Sequence, residues 1–224
     1  MLVLKYEKTG AMRFISHIDI LRHFVRILRR ANINVEFSKG FNPHMLIYFS
    51  PPLSLGVGSV AEYVTVETIG ITADEFIKRY NDAAPKGLQA SAVFEVAKDP
   101  KLQGVVCCAD YVLPFSFDGI KIDNDYTITY DKQGEQKTEV VGDKIYGVWV
   151  KDNKTIVRLA SGNINLRADR VATQFANDFN KEVVISDIVK TAQFIKVGNE
   201  LVEADEYIRG KNEKVDGQDE KIID

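Results

Sequence analysis

Arg22, Arg26, Arg29 and Arg30 crowd the stretch RFISHIDILRHFVRILRR, residues 13–30, with Arg13 at its head. Two of the chain's three histidines, His17 and His23, share it, and the third, His44, follows in SKGFNPHMLIYFSPPLSLGVGS. Guanidinium groups present planar forks that match phosphate and carboxylate oxygens two at a time. Imidazoles are the usual proton carriers near neutral pH. Two chemistries therefore suit the stretch: tracking a nucleic-acid backbone or an acidic protein, and acid–base catalysis. The plainer alternative is a solvated helix side on which Asp19 pairs with Arg22 or His23 at helical spacing. A metal site is not expected, because His17 and His23 lack the i, i+4 spacing of a helical ligand pair.

The element that carries these groups is legible. Ser16 is an N-cap residue with Asp19 three positions on, an acidic form of the capping box. At ~100° per residue, Ile18, Ile20, Leu21, Phe24, Val25, Ile27, Leu28 and Ala31 fill one half of a helix. Asp19, Arg22, His23, Arg26, Arg29 and Arg30 fill the other, so the wide apolar half is expected to be buried on a sheet. Around this helix, LVLKYEK, INVEFS, MLIYFS, AEYVTVET and LQASAVFEVA read as strands, MRFIS as a possible extension of the first, and Thr72 with Glu75 opens a second helix. The order is a split β-α-β-β-α-β pattern.

The fold class expected is α+β: an N-terminal ferredoxin-like βαββαβ unit over residues 1–100, followed by a second, smaller α+β unit over 101–202. In the second unit, short strands precede a helix capped by Asn165 and a strand through VVISDIVKTAQFIKV, broken near Ser186 and Asp187. A charged, flexible tail is expected over 203–224. Gly56 and Gly58 are places where a ligand could approach the backbone, or simply parts of a packed connection.

The net charge of −3 conceals a gradient. Residues 1–50 hold eight Lys or Arg against three acids, while the stretch from Glu203 holds eight acids against four bases. That asymmetry suggests an anionic partner near the N-terminal segment. No run of ~18 apolar residues exists, so no membrane span is expected. The only cysteines, Cys107 and Cys108, are adjacent, which suits a reduced, cytoplasmic protein and a buried pair in the apolar run VVCCA.

RFISHIDILRHFVRILRRANINVEFSKGFNPH and SPPLSLGVGSVAEY together resemble the radical SAM-linked protein domain, a bacterial family of unknown function. The shared pattern is similar to R-F-x-S-H-x-D, R-x-x-R-A-x-R-R-A, Y-S-x-G-F-N-P-H and P-L-x-x-G-x-x-S-x-x-E. It spans Arg13 to Glu62 and is supported weakly by Lys190-Thr191. The resemblance implies an accessory role beside, or fused to, a radical SAM enzyme, often cobalamin-dependent, in genetic settings that concern ribosomes and RNA processing. S-adenosylmethionine, the iron–sulfur cluster and cobalamin would belong to that partner: this chain has no Cys-x-x-x-Cys-x-x-Cys motif and is expected to bind no cofactor itself. Arg13, Ser16, His17, Asp19, Arg22, Arg26, Arg29, Arg30, Ser38, Gly40, Phe41, Asn42, Pro43 and His44 all sit in the pattern. The residues expected to contact substrate or RNA are Arg13, Ser16, His17, Arg22, His23, Arg26, Arg29, Arg30, Asn42 and His44. Met45-Leu46 stands where many members have Pro-Lys. His17, Asp19 and His44 would gather with Arg13 at the helix N-terminus, an anion-friendly place, and are the candidates for any catalysis.

Three functions follow as expectations. The first is a non-catalytic module that presents RNA, or an RNA-linked substrate, to a radical SAM enzyme. The second is metal-independent RNA cleavage by histidines, by analogy of fold. The third is a pure protein scaffold. An exposed basic groove with aromatics favours RNA, and an apolar patch with a charged rim favours protein.

Overall fold

The structure is a computed structural model that describes residues 1–117 and 119–216. Its first half runs β1 (Leu2–Lys8), α1 (His17–Arg30), β2 (Ile47–Phe49), β3 (Gly58–Val66), α2 (Ala73–Ala83) and β4 (Ala90–Glu95). The second half runs α3 (Leu102–Val105), β5 (Val106–Leu113), β6 (Thr127–Lys132), β7 (Glu135–Val140), β8 (Ile145–Lys151), β9 (Lys154–Ala160), α4 (Ala168–Asp178), β10 (Val189–Val197), β11 (Glu200–Glu203) and α5 (Ala204–Asp216).

The fold is α+β. Nine strands form one mixed sheet, ordered β4-β1-β3-β10-β5-β9-β8, with β2 also on β3 and β11 on β10; β6 and β7 form a separate hairpin. In the first half the neighbours β4-β1, β1-β3 and β3-β2 are all antiparallel, an arrangement compatible with a split βαβ unit. The halves join where β10 runs parallel to β3, pairing Val189 with Gly58 and Lys190 with Ser59. The outer edge of β3 is thus divided, β10 taking its start and β2 its end.

Alternation along β1 decides what the sheet covers. Leu2, Leu4 and Tyr6 face Ile20, Phe24, Ile27 and Leu28 of α1 and Phe76 and Tyr80 of α2. Phe24 is central, its ring 4.8 Å from Tyr6, 5.2 Å from Phe49 and 5.5 Å from Tyr80. The other face, with Val3, Ala61 and Tyr63, is covered by Ala204 and Ile208 of α5. Asp205 fastens that helix by accepting from Lys5 Nζ at 2.7 Å and from the Tyr63 hydroxyl at 2.6 Å. In the second half, Ala109, Tyr111, Val157 and Leu159 pack on Val171, Ala172 and Phe175 of α4.

Several local expectations are revised. INVEFS makes only two isolated bridges, Val35–Thr68 and Phe37–Met45, because the chain leaves the sheet edge between them. MRFIS does not extend β1; Gly10–Phe14 coils into a 3-10 turn. Asn165 does not cap α4: Arg167 holds the cap position without a side-chain bond to the backbone and instead grips Asp169 through Nε (3.0 Å) and Nη2 (2.5 Å). Ile185–Asp187 is a 3-10 turn, so β10 starts only at Val189. Where a flexible tail is expected from 203, α5 forms. Ala204 and Ile208 share a face at i, i+4 spacing, and Asp205 and Glu206 complement the helix N-terminus. The last part of the expected tail, 217–224, lies outside the described residues.

Candidate functional site

Ser16 starts α1 as expected. Its Oγ accepts from the Asp19 amide at 3.2 Å and donates to Asp19 Oδ2 at 2.7 Å, while Arg22 Nη1 donates to Asp19 Oδ1 at 2.9 Å. The Ser16 bond, with Arg22 second, holds the Asp19 carboxyl below its usual range. Asp19 is therefore an ionised cap and bridge, ill suited to donating a proton. Farther along, Arg26 and Arg29 are exposed and, among the described residues, meet no acid within ion-pair distance. Arg30 donates from Nη2 to the Ala83 carbonyl at 2.9 Å, tying α1 to α2. Arg13 is committed to the backbone: Nε donates to Gly10 O at 3.0 Å and Nη1 to Ser186 O. It clasps the first turn to the segment that leads into β10.

The helix also exposes apolar residues that its periodicity assigns to the buried half. Ile18 is 64% exposed and Leu21 40%. Phe14, 61% exposed, and Leu55 are exposed near the start of the helix as well. Phe14, Ile15, Ser16, Asp19, Arg22, His23, Arg26 and Leu55 line an open depression of about 450 Å³, apolar at one side and rimmed by arginine. Gly56 is not a ligand cradle. At φ +88° it lets Leu55 turn outward, and the space over it is filled by Ile185 Cγ2 and Phe14 Cε1. Gly58 faces Ile188 O and Val189 in the same way.

The histidines do not converge. His17 sets its ring edge-on against Phe49, centroids 5.2 Å apart. Partial burial lowers its pKa below 6.5; Lys8 acts in the same sense and Glu62 opposes. His44 closes a loop at the far end of β2, its Nδ1 2.8 Å from Ser38 Oγ and its amide donating to the same oxygen at 3.1 Å. Five residues of extended chain separate His44 from Phe49, roughly 16 Å. Asn42 lies exposed on the same loop, and His23 is half-buried on α1. Among the described residues, no group of three or more His, Cys, Asp or Glu side chains is placed to hold a metal.

A second polar cluster escapes any reading of local pattern. Lys190 Nζ lies 2.6 Å from Glu62 Oε1, and Lys8 Nζ donates to Ile15 O at 2.9 Å, all three side chains buried. Burial, then Lys190, depresses the Lys8 ammonium, with Glu62 opposing. Gln193 sits where β2 and β10 part from β3. Its Nε2 donates to Ala61 O at 2.6 Å and Ser50 Oγ at 3.2 Å, satisfying a carbonyl that neither strand pairs there. Gln193 Oε1 has no protein partner among the described residues. The one local signal was Lys8 itself, which continues the buried set Leu2, Leu4, Tyr6 at period two.

Residues 1–155 match a family model described as an uncharacterized protein conserved in bacteria, DUF2344. The chain belongs to that family. No curated protein matches it. The DUF2344 span contains the arginine face, the Ser38–His44 loop and two of the three charged members of the Lys8–Glu62–Lys190 cluster, Lys8 and Glu62. The third, Lys190, lies beyond the span and reaches back into it through β10. No helix of this DUF2344 chain is long and apolar enough to cross a membrane, among the described residues. Chemically, the exposed half of the site can bind anions and apolar surface, while the buried half holds the strands in register. No imidazole pair is assembled for acid–base work.

Proposed function

We propose that this chain is a non-catalytic binding module that works beside a radical SAM enzyme and presents RNA, or an RNA-linked substrate, to it. The observation that carries the reading is the α1 surface. Arg22, Arg26, Arg29 and Arg30 are all exposed on one helix, and only Arg22 is matched by an acid among the described residues. Such a face gives salt-dependent affinity for a phosphate backbone. Iron–sulfur chemistry, S-adenosylmethionine and cobalamin sit on the partner in this reading, and the link to that partner rests on the motif resemblance.

The test is the triple change Arg22→Glu, Arg26→Glu and Arg29→Glu. These side chains lie on the surface, so the fold is retained, checked by circular dichroism. RNA binding is expected to vanish together with its salt dependence; binding that survives the triple change overturns the RNA reading.

Phe14 and Leu55, exposed and lining one depression with Arg22 and Arg26, favour a second role for the same end of α1, docking of the partner protein itself. A pull-down from native lysate, with and without nuclease, separates the two. A radical SAM protein retained after nuclease supports direct docking, and RNA recovered alone supports the RNA role only.

A further inference from the structure

Residues 36–46 leave the outer edge of β3 as a finger. Its base is laced by three backbone bonds: Glu36 N to Glu67 O at 2.8 Å, Leu46 N to Glu36 O at 2.9 Å and Glu67 N to Leu46 O at 3.1 Å. Phe37 and Met45 then bridge, and Ser38 N donates to His44 O at 2.9 Å. The two bonds between Ser38 Oγ and His44 close the loop above that. Only Lys39 to Pro43 remain outside the closure. Gly40 takes φ +126°, a conformation L side chains rarely adopt, with open space around it. The reversal throws Phe41 outward, and its side chain is fully exposed, at 111% of the reference area.

A phenylalanine held wholly in water forgoes about 1.5–3 kcal/mol of burial, which an occupant that covered the ring would recover in part. The surroundings discriminate between occupants. A protein-docking surface is a contiguous apolar area, but Phe41 is flanked by Gly40 and Asn42, both exposed, and the finger's other exposed ring, Phe37, lies below the Ser38–His44 closure, paired with Met45 in the stem. The tip carries a cation, Lys39, an amide, Asn42, and no acid. One free ring face beside a cation is what stacking of an unpaired base requires.

We propose that Phe41 is a stacking platform for an unpaired base of single-stranded RNA, with Lys39 meeting the adjoining phosphate. This rests on the RNA reading above and adds what kind of RNA it is: unpaired, with a base free to leave its neighbours. It also places a second contact away from the arginine face, so that the bound strand reaches from α1 to the finger.

The experiment uses the full chain and short single-stranded RNA oligonucleotides carrying 2-aminopurine at successive positions. The wild type is expected to quench the fluorescence at one or a few positions. Phe41→Ala and Phe41→Leu should abolish the quench and weaken binding roughly five- to 150-fold, the effect of losing one base–aromatic stack. Phe41→Trp should keep both. The salt slope should be unchanged in the Phe41 variants, whereas the arginine triple variant should not bind. If Phe41→Ala binds and quenches like the wild type while the arginine variant does not bind, the stacking role is overturned and the RNA reading stands. If the wild type binds no RNA, both fall. If Phe41→Ala instead loses a nuclease-resistant protein partner, the finger is a protein contact and base stacking is overturned.

Discussion

Lys190 and Glu62 stand 128 residues apart in sequence and form an ion pair of 2.6 Å with side chains only 2% and 6% exposed. The pair sits where β10 joins β3, the one parallel seam among the described residues, with two registered residue pairs of its own. Lys8 approaches from β1, its Nζ donating to Ile15 O at 2.9 Å, and the same carboxylate acts on it electrostatically. A buried charge without its partner is strongly destabilising, whereas an intact pair adds little net stability over apolar residues of like volume. The cluster's contribution is thus to fix which residues of the two halves meet.

Breaking that pair gives the first prediction. Lys190→Met should lower the unfolding free energy by about 3–5 kcal/mol, read by urea denaturation. Replacing Lys8, Glu62 and Lys190 together with methionine should recover most of the loss. A single Lys190→Met that costs under ~1 kcal/mol would mean the Glu62 carboxylate reaches water after all.

The second concerns pH. Burial against Phe49 lowers the His17 pKa below 6.5, Lys8 adding to the effect and Glu62 opposing it. The unfolded chain then takes up the proton first as pH falls, so stability is complete above about 6.5 and declines as the pH drops through the folded value. Melting temperatures of the wild type between pH 7.5 and 5 should show this decline, and His17→Gln should remove its His17 part. Parallel profiles for the two proteins would show that His17 does not contribute.

The third separates docking from folding. Phe14 and Leu55 are exposed, so Phe14→Asp and Leu55→Asp should change stability by no more than ~0.5 kcal/mol. If the apolar end of α1 seats a partner protein, the same changes should abolish its nuclease-resistant recovery. Full recovery by both variants removes that surface from the interface.

The fourth and fifth are the arginine triple change and the Phe41 series. They differ in kind: charge reversal on α1 should abolish RNA binding, and loss of the Phe41 ring should weaken it while leaving its salt dependence unchanged.

Much of this protein was decided locally. Ser16 with Asp19 and Thr72 with Glu75 start two helices where their side chains satisfy free amides, and period two in LVLKYEK makes β1. The four helix arginines are outward because 3.6-residue geometry puts them opposite Phe24 and Leu28. Local pattern fails where a neighbour is needed to complete the meaning. A helical wheel gives the direction of Ile18 and Leu21 but not what lies there, and both stay exposed. INVEFS has strand composition, yet its partner edge is taken by β2 and the chain turns out into the Phe41 finger. His17 and His44 share one motif and are held at opposite ends of β2. The elements, their caps and the basic face of α1 depend on residues within a few positions of each other, so each was legible along the chain. The meeting of Lys8, Glu62, Lys190 and Gln193 depends instead on strand pairing, which joins residues whose separation along the chain carries no local signal.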